Sequence, residues 1–193
     1  MATIVESIRW EYLRYKALAE AAIAQLDEPE ISLPGPAGGN SIATVCWHLS
    51  GNLQSRFTDF LTSDGEKSWR NRDQEFLDRQ VTRAELLSKW EAGWTVLLET
   101  LSNLSDDQLG QRITIRGQAL LVHEALHRSL AHTSYHVGQI VYAAKAFRGD
   151  QWTSLSIPPG KSDAANRDPS MQRPSDHAQR LKDLRRDHAP PDK

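Results

Sequence analysis

Apolar residues in this chain recur at spacings of three and four over four long stretches and seldom alternate, so its apolar surface is written as stripes on helices, with little left for a sheet. The first stretch runs from about Thr3 to Leu26, with Ile4, Ile8, Tyr15, Leu18, Ala22 and Leu26 in one stripe, and Pro34 and Pro36 close the loop behind it. The second starts at Asn40 or Ser41, either a good N-cap, and carries Ile42, Val45, Leu49, Leu53, Phe57 and Phe60 to about Leu61. The third opens with a capping box, Thr82 with Glu85, and buries Leu86, Trp90, Trp94, Leu97 and Leu101. Ser105 to Gln108 reads as one capped turn, Arg112 to Arg116 alternates like a short strand ending at Gly117, and the fourth helix spans about Leu120 to Phe147. The predicted fold is all-α, a four-helix bundle. Thr62 to Val81, rich in Trp, Arg, Asn and Asp, exceeds the roughly two to eight residues of an antiparallel helix connection, which predicts a long crossover leaving helices two and three parallel.

A length of 193 residues suits one domain, assigned to residues 1–160. Residues 161–193 hold eight Lys or Arg, six Asp, four Pro and no aromatic residue, too little apolar surface to offset ordering. They are predicted to form a disordered C-terminal tail, with a short helix over Asp176 to Asp187 as the exception. No repeat of 20 to 50 residues is present, which excludes solenoids and propellers.

Charge and hydropathy remove several function classes. The whole chain has 23 Lys and Arg against 25 Asp and Glu, a net −2, and without the tail 15 basic residues face 19 acidic ones, a net −4. That body lacks the basic footprint of a nucleic-acid binder. The longest apolar runs, such as Val137 to Val141, fall far short of the roughly 20 residues a membrane helix needs. Glu6, Arg9 and Glu11 interrupt any export signal at once, and the single Cys46 cannot form an internal disulfide. A cytoplasmic location is the expectation, and Cys46, near the centre of its stripe, reads as inert core.

Chemistry is concentrated in histidine. Of seven, His177 and His188 lie in the tail, leaving His48 on helix two and His123, His127, His132 and His136 on helix four. At about 100° per residue, His123 and His127 project about 40° apart, as do His132 and His136, but the two pairs face nearly opposite sides. They cannot share one site, and periodicity alone does not choose between them. Two imidazoles at i and i+4 can grip one divalent ion, and a third from another helix completes a three-histidine site with an open position. His48 is the only third candidate, although on ideal geometry it lies about 130° from the centre of its own stripe.

The segments W-H-L-S-G-N, Trp47 to Asn52, and A-H-T-S-Y-H-V-G-Q-I, Ala131 to Ile140, resemble the DinB/YfiT-like superfamily of bacterial metalloenzymes. The resemblance covers most of residues 3–160. The stretches Ser55 to Asp73 and Leu155 to Ser162 are similar to a subgroup without an assigned reaction. It implies a left-handed four-helix bundle in up-down-down-up order, with a divalent metal held by one histidine of helix two and an H-x-x-x-H pair of helix four. Carried onto this chain, those are His48, His132 and His136. Related DinB-like proteins act as thiol S-transferases or a thiol-dependent isomerase with a low-molecular-weight thiol such as bacillithiol, mycothiol or glutathione.

Three neutral imidazoles leave an ion its full positive charge, which acidifies a bound water or thiol, so thiol transfer to a small-molecule substrate and hydrolysis use the same parts. Zinc or nickel leads among the metals such a set suits, ahead of copper and iron. The alternative is a non-catalytic dimeric bundle, metal-stabilised or metal-free, serving as a stress-related binding module. Around the triad, Asn52 and Asp59 share the His48 side of helix two and Gln139 lies close to His132, placing them for hydrogen bonds to the ligands. Glu11 and Arg56 intrude into the stripes of helices one and two, which predicts an ion pair between them. Trp90 and Trp94 read as core, Trp47 and Trp69 as pocket lining. Ala131, Tyr135, Gly138 and Tyr142 form a strip of small and aromatic residues suited to a homodimer contact.

Overall fold

The computed structural model describes residues 3–188. These form α1 (Ile4–Ala24), α2 (Ile42–Phe57), α3 (Arg83–Asn103), a hairpin of β1 (Arg112–Ile115) and β2 (Gln118–Leu121), α4 (Val122–Arg148), α5 (Ser162–Arg167) and α6 (Pro174–Asp187), with short 3-10 turns between them. No helix among the described residues is long and apolar enough to cross a membrane. The four long helices touch in a ring, α2 against α3 and α4, and α1 against α3 and α4. Trp90, Trp94, Tyr12, Leu49, Leu97 and Leu126 fill the centre. Cys46 is fully buried, which pushes its thiol far above the usual range and keeps it inert, as expected.

Helix starts follow the capping signals. Ser41 Oγ accepts the Thr44 amide at 3.1 Å, and Thr82 with Glu85 forms the reciprocal box. Thr3 caps α1, and the free amides of Ile4 and Val5 each donate to the Asp106 carboxylate at 2.9 Å, so the turn after α3 carries a negative charge at the start of α1. The last turn expected of helix two does not form. Thr58 is extended and Asp59 takes a positive φ of 49°, ending α2 at Phe57.

Helix four begins at Val122, two residues later than expected, because Gln118–Leu121 pairs antiparallel with Arg112–Ile115. The turn is Arg116 and Gly117, both at positive φ (55° and 71°), the backbone twist that suits a two-residue hairpin.

Three expectations are corrected. Ile4 is 59% exposed, and the covered face of α1 runs through Val5, Ile8, Tyr12, Ala19, Ala22 and Ile23. The ion pair between Glu11 and Arg56 does not exist: Glu11 takes Arg14 one turn along at 2.8 Å, while Arg56 bonds Glu66 at 3.0 Å and the Gly65 carbonyl in the crossover. The buried acid of α1 is instead Glu20, which accepts from Lys16, from Trp90 Nε1 at 3.1 Å and from Arg185 at 2.7 Å. Nor is the segment after 160 disordered as far as His188. Helix α6 lies on α1 with Ala178 and Leu181 buried, and His177 Nε2 bonds the Leu155 carbonyl at 3.0 Å. Residues 189–193 of the predicted tail, and 1–2 of the predicted domain, lie outside the described residues.

The α2–α3 crossing sets where the functional face of α2 points. Ser50 Oγ donates to the Lys89 carbonyl at 2.6 Å, and a Cβ on Gly93 would stand 2.7 Å from Ser50 Cα, which is backbone and cannot yield. Gly93→Ala is expected to push the helices apart and cost about 1–3 kcal/mol, read by denaturant unfolding. An unchanged midpoint would mean that the crossing is looser than described.

Candidate metal centre

Helix α2 is covered on more than its α3 side. His48, Ser50 and Ser55 are buried alongside Val45, Leu49 and Leu53, because α4 and the crossover segment close over the remaining faces. The angular mismatch of His48 with its stripe disappears once that second cover is present. His48 is only 4% exposed and meets His132 and His136, one helical turn apart on α4. One ligand nitrogen from each of the three lies within 4.8 Å of the others.

Hydrogen bonds choose which nitrogens face inward. His48 Nδ1 donates to Glu75 Oε2 at 2.9 Å and His136 Nδ1 to Gln139 Oε1 at 2.8 Å, so that in each neutral ring Nε2 is the atom that carries the lone pair. His48 Nε2 stands 3.2 Å from His132 Nε2, close to the roughly 3.3 Å edge of a tetrahedron with metal–nitrogen bonds of about 2.0–2.1 Å. His132 Nδ1 is buried without a partner. The donor set therefore fits a divalent ion that prefers imidazole. Burial first, then the neighbouring imidazoles His136 and His48 and the charges of Arg70 and Arg56, lowers the His132 pKa to about 3. Burial also lowers that of His136, against the Gln139 bond. Both rings are neutral at pH 7, as ligands must be.

The carboxylate behind His48 comes from a 3-10 turn, Asp73–Phe76, in the long crossover. Burial raises the Glu75 pKa, but hydrogen bonds from Arg70 and His48 outweigh it, so the group stays below the usual carboxylate range and remains charged. Arg70, its side chain 2% exposed, grips Glu75 with Nε on Oε1 at 2.8 Å and Nη2 on Oε2 at 2.9 Å. Gly51 makes room, since a Cβ there would lie 2.1 Å from Glu75 Oε1. The Phe76 ring packs at 4.7 Å from that of His48.

Of the residues singled out in the sequence, His48, His132 and His136 converge, Gln139 orients His136, and Asn52 and Arg56 line the adjoining cleft. Glu11 belongs to the α1 surface, paired with Arg14. His123 bonds the Leu109 carbonyl at 3.0 Å and His127 is exposed, so the first histidine pair stays out of the centre. Trp47 and Trp69 line a groove on the far side of Glu75. Sequence reasoning did not find Glu75 and Arg70, because their segment has no helical period and nothing in its spacing ties it to His48.

The crossover is also latched to the hairpin. Asp64 accepts the backbone amides of Gly117, Glu66 and Arg116, which lowers its pKa from 3.8 to about 2. Its folded pKa is depressed, so the latch is fully present above pH 3.8 and is lost as pH falls through about 2. The Gly117 amide resonance is expected to titrate with a midpoint near 2, and a midpoint at 3.8 would contradict the latch.

No curated protein and no solved structure gives a significant match to the chain. The profile of one family, described as "Protein of unknown function (DUF1572)", matches residues 2–161. With the whole helical ring, the three histidines and the crossover inside that match, the chain belongs to the DUF1572 family.

Proposed function

We propose that this protein is a divalent-metal-dependent enzyme of the DinB-like type, its helices in the left-handed up-down-down-up order of that superfamily. In this reading His48, His132 and His136 hold zinc or nickel and a low-molecular-weight thiol is transferred to a small-molecule substrate. The observation that carries it is the convergence of three imidazole nitrogens, two of them oriented by Glu75 and Gln139, beside a cleft of about 170 Å³ reached by His48 and His132. A structural site would be closed by a fourth protein ligand, and among the described residues only the three histidines form such a group. A bound divalent ion would supply Lewis acidity, lowering the pKa of a thiol or water that it holds.

Thiol transfer is favoured over hydrolysis by what surrounds the histidines. No Asp or Glu lines the cleft, and Glu75 is committed to Arg70 and His48, so no carboxylate is free to serve as general base. A thiol, with an ordinary pKa of about 8.5, needs far less help to ionise than water does. The homodimer and the cytoplasmic location stay part of the reading. For the former the support is that Tyr135 and Tyr142 are 64% and 67% exposed.

The test is a turnover screen with zinc- or nickel-reconstituted, tag-free protein, pairing bacillithiol, mycothiol and glutathione with electrophiles. Thiol consumption that disappears in His132→Ala and on chelation supports the reading. Turnover that is indifferent to both, or tight metal binding with no reaction for any pair, favours the binding module.

A further inference from the structure

The cleft beside the histidines runs between two helix faces. On α2, His48, Asn52 and Arg56 follow one another at intervals of four, spanning about 12 Å along the axis. On α4, Arg128 and His132 face them at the same interval. Arg70 and Arg72 from the crossover and Arg116 from the hairpin turn complete the polar wall, while Phe57, Phe60 and Ile115 supply an apolar one.

Five arginines therefore line a cleft without any lining carboxylate, in a chain whose net charge is −2. Glu66 serves Arg56 at 3.0 Å, Arg116 at 2.9 Å and, more distantly, Arg70 at 3.9 Å, and Glu75 serves Arg70. Two carboxylates thus answer for three guanidinium groups. Arg72, stacked on Phe76 at 4.8 Å, and Arg128 make no ion pair among the described residues. The surplus positive charge, on the exposed Arg72 and Arg128, stands at the mouth of a concave, partly apolar space whose walls focus its field. Burial lowers the pKa of Arg56 despite its bond to Glu66, and the charges of Arg70 and Arg116 add to that in the same direction.

We propose that the cleft binds a small organic anion, its carboxylate or phosphate-like head held by Arg128 and Arg72 and its apolar body laid on Phe57, Phe60 and Ile115. This rests on the reading of the three histidines as the reacting end, because it makes the anion the substrate. Guanidinium forks match planar or tetrahedral oxyanions with paired hydrogen bonds, and the apolar wall favours an aromatic or branched body over a bare inorganic ion. Entry would be steered by the field and weakened by salt.

The test is calorimetric titration of the full chain, zinc-loaded and chelator-treated, with phenylphosphonate, phenylacetate and the uncharged benzyl alcohol. The two anions are expected to bind and benzyl alcohol not to. Arg128→Gln, at an exposed position that the fold tolerates, is expected to weaken anion binding by roughly tenfold or more while zinc stoichiometry is unchanged. Anion binding that depends on Arg128 in protein that takes up no zinc would uphold this proposal and defeat the metal reading. Equal binding of benzyl alcohol, no binding of either anion, or unchanged affinity in Arg128→Gln would overturn the proposal and leave the metal reading standing wherever zinc is retained.

Discussion

Glu75→Ala is expected to be among the most damaging single substitutions in this protein, in stability and in metal affinity together. It leaves Arg70, with its side chain 2% exposed, without its two-pronged partner. Stranding one member of a buried ion pair costs about 3–5 kcal/mol, and Glu66 at 3.9 Å places this case toward the lower end. It also removes the acceptor that fixes the His48 ring, an outer contact whose loss lowers metal affinity roughly 10–100-fold. The two effects separate in a double variant. Arg70→Met with Glu75→Leu replaces the pair with apolar side chains and should recover most of the stability without recovering the metal affinity. Denaturant unfolding and competitive zinc titration read the two quantities. A Glu75→Ala protein with parental stability and affinity would show that the carboxylate is incidental.

His132→Ala carries the second large effect, of a different kind. It deletes a ligand outright, so zinc affinity should fall by more than the roughly 100-fold expected for an outer partner, and protein purified without chelator should lose its bound metal. Without metal the same variant should be about as stable as the metal-free parent, because the ring it removes is half buried with Nδ1 unpartnered. With zinc present at about a hundredfold over its dissociation constant, the parent alone gains about 2.7 kcal/mol. Thermal melts of both proteins with and without zinc check this, and a zinc-dependent rise in the variant equal to the parent's would exclude His132 as a ligand.

Legibility in the sequence divides along physical lines. The start and the buried stripe of helix α3 are readable in the sequence, since its capping box and its buried Leu86, Trp90, Trp94, Leu97 and Leu101 are local signals that packing does not override. The histidine pairs were readable as pairs, but their choice rested on resemblance, because helical spacing places His123 and His127 as well as it does His132 and His136. On α1 the stripe was misplaced: Ile4 points outward and Glu20 inward, where Lys16, Trp90 and Arg185 neutralise it. Arg185 comes from α6, a helix expected over Asp176 to Asp187 whose docking on α1 is masked by the polar average of the last thirty-odd residues, although Ala178 and Leu181 sit three apart. The turn at Arg116 and Gly117 lacks the Asn or Asp that usually signals such a hairpin. Glu75 reaches His48 across 27 positions of chain, a pairing set only by tertiary closure and by the absent side chain of Gly51.

The proposed metal centre requires three rings, from two helices, to share one ion. X-ray absorption at the zinc edge of the reconstituted protein reads that shell directly. The expected spectrum has about three imidazole nitrogens at about 2.0–2.1 Å together with one or more exchangeable light-atom ligands. A shell of carboxylate and water oxygens without the imidazole scattering pattern, or no zinc retained at all, would contradict it.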